Sequence, residues 1–128
     1  MLMFTDIMFE ENLALLEALC QNKLTVKEWV ARLKSQKWYY EEIELEEIPE
    51  PIRTHEREHA EVIRKYGLRP KFVKSKEGIY AVAFDPSELE GWSREEVLQF
   101  LLELYGAPSS YSAYDHLAFY LIYFSLQK

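Results

Sequence analysis

Apolar residues at Phe9, Leu13, Leu16 and Cys20 recur at spacings of four, three and four, the signature of one buried helical stripe. They predict a first helix running to about Gln21, with Thr5 or Asp6 as its cap. Asn22-Lys23 breaks the pattern. Thr25 and Glu28 then form a T-x-x-E capping box, in which the two side chains satisfy orphan backbone donors reciprocally. The helix it opens carries Val26, Trp29, Val30 and Leu33 on one face and is expected to reach about Lys37. The two helices read as a hairpin.

From Trp38 to Ile48 the period changes. Ile43 and Leu45 alternate with Glu42, Glu44 and Glu46, as in a half-exposed strand, although glutamate is a poor strand former and an extension of the second helix competes. Pro49 and Pro51 end the segment, and Pro51 suits the first position of a third helix. That helix is expected to stop at Gly67, with Leu68 folding back onto Ile63 and Pro70 preventing resumption. A β-hairpin follows within 71–84, turning at Ser75-Lys76-Glu77-Gly78. Its second strand, apolar on both faces, belongs inside a sheet.

Asp85-Pro86 turns the chain outward, and Ser93 with Glu96 forms a second capping box, beside which Trp92 is placed to staple onto Val97. Gly106-Ala107-Pro108 closes that helix, and Ser110 or Ser112 caps a last one reaching about Leu126. Its apolar residues lie almost all round, so it is expected to be central or shared with a partner, with a strand over 117–124 as the alternative. The fold class read from these elements is α+β. About five helices, arranged as two helical hairpins plus a central helix, accompany a small antiparallel sheet in a single domain over 1–128.

Charge and composition narrow the function classes. A net charge of −7 works against nonspecific attraction to nucleic acid or anionic membrane. The most apolar run, Leu117 to Leu126, is ten residues long against the roughly 20 that cross a bilayer. Met1 to Asp6 lacks the basic start and cleavage site of a signal peptide, and the single Cys20 forms no internal disulfide. A cytoplasmic protein without a membrane partner is the expectation.

Three constellations bear on chemistry. His55-Glu56-Arg57-Glu58-His59 matches H-E-x-x-H, in which histidines four apart share a helix face and hold zinc while the glutamate polarises water. Against a metal role stand the charged residues between the histidines and the missing third ligand, for which His116 or one of many glutamates would have to serve. The bland reading is a charged, solvated first half of a helix, with Glu56 and Glu58 complementing the dipole early and Arg64 and Lys65 late. Glu56-x-x-His59 also has the spacing of carboxylate-bridged di-iron bundles, but no second pair exists. Next, Arg64, Lys65, Arg69, Lys71, Lys74 and Lys76 follow six acids at Glu41, Glu42, Glu44, Glu46, Glu47 and Glu50. Three helices and a basic hairpin have the order of a winged helix-turn-helix, in which Arg69, Lys71, Lys74 and Lys76 would touch phosphates, although the third helix itself carries Glu56, Glu58 and Glu61. Opposite charges pairing across the surface is the plainer account. Finally, Ser109, Ser110 and Ser112 beside Asp115 and His116 are nucleophile-site residue types that more often cap helices.

The function expected from the chain alone is a small acidic, non-enzymatic regulatory or accessory protein that binds another protein or itself. Leu98, Leu101, Tyr105, Tyr120 and Phe124 are its expected interface anchors, and no cofactor is expected. A zinc protein or metallohydrolase using His55, Glu56 and His59 is the first alternative. Nucleic-acid binding through the basic hairpin is the second.

Overall fold

The computed structural model describes residues 3–4, 9–36 and 39–127. In chain order it contains β1 (Met3–Phe4), α1 (Phe9–Cys20), α2 (Val26–Lys34), β2 (Tyr40–Ile43), α3 (Ile52–Lys65), β3 (Lys71–Ser75), β4 (Tyr80–Phe84), α4 (Arg94–Gly106) and α5 (Ala113–Leu126). The strands form one antiparallel sheet in the order β1-β4-β3-β2. The class is therefore α+β, with five helices among the described residues and a small antiparallel sheet around the predicted hairpin.

Local signals account for most boundaries. Both capping boxes are formed, at Thr25 with Glu28 and at Ser93 with Glu96. Gly67 sits at φ +81°, and the α3 terminus closes by Leu68 N–H donating to Ile63 C=O and Gly67 N–H to Arg64 C=O, both satisfying orphan carbonyls. The alternation at 40–43 resolves as a strand, followed by a short 3₁₀ turn at Leu45–Glu47. Glutamate is tolerated there because β2 is an edge strand whose side chains stay in water. Pro51 lies one residue before α3 rather than inside it, and α2 stops at Lys34. The predicted caps Thr5 and Asp6, and the start of the second-strand segment at Trp38, lie outside the described residues.

The core is built from both helical hairpins and one face of the sheet. Leu16, Leu19, Trp29, Val30 and Leu33 from the first hairpin meet Val82 and Phe84 of β4 and Val97, Phe100, Leu101 and Leu104 of α4. Phe84 and Phe100 pack edge to face at 5.5 Å, and Phe100 also receives Tyr66 and Trp92. Arg94, at the start of α4, donates to the carbonyls of Leu19 and Cys20, and the Ser125 hydroxyl donates to Cys20 as well. These bonds tie the end of α1 to α4 and α5. Burial of Cys20 pushes its thiol pKa up.

Helices α4 and α5 approach closely because position 106 has no side chain. A Cβ there would lie 2.9 Å from the Phe119 ring. Close apposition sets the N-terminal turn of α5 against α3, and this arrangement builds the site.

Helix α5 is neither central nor covered all round. Tyr114, Asp115, Ala118 and Ile122 face inward, while Leu117, Tyr120, Tyr123 and Phe124 are exposed. No helix among the described residues is long and apolar enough to cross a membrane.

Candidate metal centre

The first half of α3 is not the solvated stretch its charges suggest. His55, Glu56 and His59 are 8%, 1% and 0% exposed, and with Ala60 and Ile63 they form the inward stripe of the helix. Arg57, Glu61, Arg64 and Lys65 take the outer face. The helical period is ordinary. Only the residue types on the buried stripe are unusual, because neutral or charged polar groups enter an interior only when held by partners.

Those partners come from the end of α4 and the start of α5. His55 Nδ1 is 2.9 Å from Ser110 Oγ, and His55 Nε2 is 3.0 Å from Asp115 Oδ2. The Nδ1–H of His59 donates to the Leu104 carbonyl at 3.0 Å, and His59 Nε2 lies 3.1 Å from the same Asp115 Oδ2. The two rings meet edge to face at 4.8 Å. Ser112 caps α5 by accepting from Asp115 N–H, which sets that carboxylate toward α3. Ser112 thus caps α5, and Ser110 and Asp115 hold the two nitrogens of the His55 ring.

One consequence follows from the hydrogen count. The Leu104 carbonyl can only accept, so the His59 Nδ1 carries its hydrogen and Nε2 of the neutral ring presents a lone pair to a carboxylate oxygen. Two acceptors at 3.1 Å repel unless a proton, on the ring or on the carboxyl, or a metal ion lies between them. A backbone carbonyl or hydroxyl on the remote nitrogen is also the outer-shell arrangement that fixes the tautomer of a metal-ligating histidine. Both histidines have such a partner.

Among the described residues, His55, His59 and Asp115 form the one group of three metal-ligating side chains, with donor atoms all within 4.8 Å of one another. Zinc bonds of about 2.0–2.1 Å in tetrahedral geometry place donors about 3.3 Å apart, so the two histidine–carboxylate edges of 3.0 and 3.1 Å would open by a few tenths of an ångström, and donors that span up to 4.8 Å would draw together around the ion. Glu56 is buried but outside this donor group, whose third member is Asp115, where the sequence left His116 or one of many glutamates open. His116 points outward, between the Tyr111 ring, tilted against it, and the Tyr120 ring, edge on.

The other predicted residues lie elsewhere. Leu98, Leu101 and Tyr105 are core residues, which leaves Tyr120 and Phe124 of the five expected anchors at the surface. The basic hairpin is not a free wing. Strand β3 is paired on both sides, with Glu41 of β2 opposite Lys74 and Glu42 opposite Val73. Lys71 pairs with Glu42 at 3.1 Å, Arg69 with Glu88 at 3.6 Å, and Lys74 lies over the Tyr80 ring. Acidic neighbours thus engage Arg69 and Lys71 of the stripe that would have met phosphates, Glu41 stands opposite Lys74, and one face of α3 is buried.

No protein-family model matches the chain, and no curated protein and no solved structure matches it either.

Proposed function

We propose that this protein binds a divalent transition-metal ion of the zinc class through His55, His59 and Asp115, and that the ion serves a hydrolytic reaction. The observation supporting this reading is the convergence of two imidazole Nε2 atoms on one carboxylate oxygen, with each remote ring nitrogen held by a fixed partner. Two histidines and a carboxylate are a borderline-soft donor set suited to zinc. Three protein ligands rather than four are the pattern of catalytic sites, which keep one position for water or substrate. The role of the protein is then to hold the donors in a water-poor interior and leave that position open.

Metal content of purified, untagged protein tests the reading. One zinc per chain is expected, lost in His59→Ala and Asp115→Asn and retained in His116→Ala. Circular dichroism of each variant separates lost ligands from a lost fold. Absence of bound metal in a folded wild-type protein, even after incubation with excess zinc, would retire the centre and leave a buried histidine–aspartate ion network.

A second reading is a protein-binding module acting through the outer face of α5. Its support is the run of exposed rings at Tyr120, Tyr123 and Phe124, packed against one another edge to face and, for Tyr120 and Phe124, stacked. If that face carries a self-association, Tyr120→Glu abolishes a dimer seen by light scattering, whereas an unchanged mass with intact folding excludes it.

A further inference from the structure

If the three donors hold a metal, its remaining position must be reached from somewhere. We infer that a ligand enters through the cleft bounded by the start of α3, the β3–β4 turn and the loop before α5. The cleft takes a small molecule with an oxygen-donor, metal-binding head on an uncharged, ring-sized apolar body. This rests on the metal reading above.

His55 joins the centre to this cleft. Its side chain is 10% exposed against 0% for His59 and 5% for Asp115, so solvent approaches the donor set on the His55 side. The cleft it lines encloses about 540 Å³, within the range of small-molecule sites. The walls are Pro51, Ile52, Ile79, Tyr80 and Tyr111, with the Ser110 and Ser112 hydroxyls beside the histidine. Ile52, Ile79 and Tyr111 are large apolar side chains left facing water at separate places in the chain, and they converge around this one opening. An apolar body seated there would cover all three.

Charge restricts the head and the body. A divalent ion with the Asp115 carboxylate leaves one net positive charge, which a neutral or monoanionic oxygen donor can meet. Glu56 lines the same cleft and is buried, and a negative charge on the body would be set in this poorly screened place beside a carboxyl group. A smaller cavity of about 350 Å³ reaches Asp115 from the other side of the Ser110–Ser112 loop, between His116, Phe119 and Tyr120, and is the competing entrance.

Calorimetric titration of the zinc-loaded full chain with acetohydroxamate and with phenylacetohydroxamate tests the inference. Both should bind, the phenyl compound at least about tenfold tighter because its ring is buried. Ile79→Trp, at an exposed position, should fill the cleft and abolish that gain, lowering phenylacetohydroxamate affinity far more than acetohydroxamate affinity, while zinc stoichiometry stays the same. Equal affinities, no acetohydroxamate binding to zinc-loaded protein, or a gain that survives Ile79→Trp would each overturn the cleft. So would a gain lost in Tyr120→Ala instead, which assigns the ligand to the other cavity. A chain that takes up no zinc fails earlier and sinks the metal reading itself.

Discussion

Two stretches of this chain are dense in ionisable residues, and folding treats them in opposite ways. The acids of 41–50 and the bases of 64–76 stay at the surface where they pair at all: Lys71 and Glu42 meet across the β2–β3 edge with both side chains about half exposed, and Lys65 and Arg69 pair with Glu103 and Glu88. His55, Glu56 and His59 are drawn inside by the same helix that leaves Arg64 and Lys65 in solvent. Composition does not separate the two. What separates them is the surface each packs against: water on one side, and the α4–α5 junction with a carboxylate and a backbone carbonyl on the other. Charges in water are screened and worth little, whereas polar groups in an interior must be held in place and are thereby positioned for chemistry.

The comparison breaks most easily at Asp115. In metal-free protein, Asp115→Ala removes the acceptor shared by two buried rings and should lower stability by about 3–5 kcal/mol in urea denaturation. A loss under about 1 kcal/mol would put the interior cluster on the same footing as the surface pairs. Zinc supplied at a hundred times its dissociation constant should stabilise the wild type by about 2.7 kcal/mol in the same assay. Chelation should reverse the gain, and His59→Gln should not show it.

Gly106→Ala sharpens the role of close packing. The new methyl group collides with Phe119, which should cost about 1–3 kcal/mol and weaken zinc binding by shifting α5 and its Asp115. Phe119→Leu in the same chain should recover part of both. On the surface side, Lys71→Ala should change stability by no more than about 1 kcal/mol, an effect that fades with added salt and leaves metal affinity alone.

The smallest effect is read by pH. Tyr66 donates to Glu103 at 2.7 Å, and this bond, with some burial, pushes its phenol pKa up to about 12. Hydrogen bonds from Lys65 and Tyr66 hold the Glu103 carboxyl below its ordinary range. The tyrosine contribution to stability is complete below pH 10 and is lost as pH rises through about 12. The Glu103 contribution is present above the ordinary carboxylate range and is lost as pH falls through the lowered value. Ultraviolet titration should show a late-titrating component that is lost in Tyr66→Phe and brought earlier in Glu103→Gln.

Much of the architecture was legible because its causes are local. The two capping boxes, the Gly67 terminus and the turn at Ser75–Gly78 each depend on residues a few positions apart, and each is formed as read. The end of α2 and the placement of Pro51 were off by a few residues, as befits helix ends, which fray and respond to neighbours. The candidate site was legible only in half. His55 and His59 share a face by helical period alone, but their stripe contains too few apolar residues to read as buried. Asp115 lies 56 positions from His59 and looks like an ordinary helix-start residue, which it also is. A polar residue in an amphipathic pattern is taken for a solvated one unless its partners are known, and these partners are nonlocal.

The chain by itself determined most helix and strand positions to within a few residues, that its class is α+β, and that two histidines would share one helix face. Capping, turn chemistry and hydrophobic period carry that information over short distances. Tertiary structure alone decided that this polar face would be buried, and that Asp115 rather than His116 would meet it. It also decided that Leu98, Leu101 and Tyr105 would be consumed by the core while the rings of α5 face outward. Those outcomes depend on how closely α4 and α5 approach across Gly106 and what they set against α3, a property of packed surfaces that spacing along the chain does not encode.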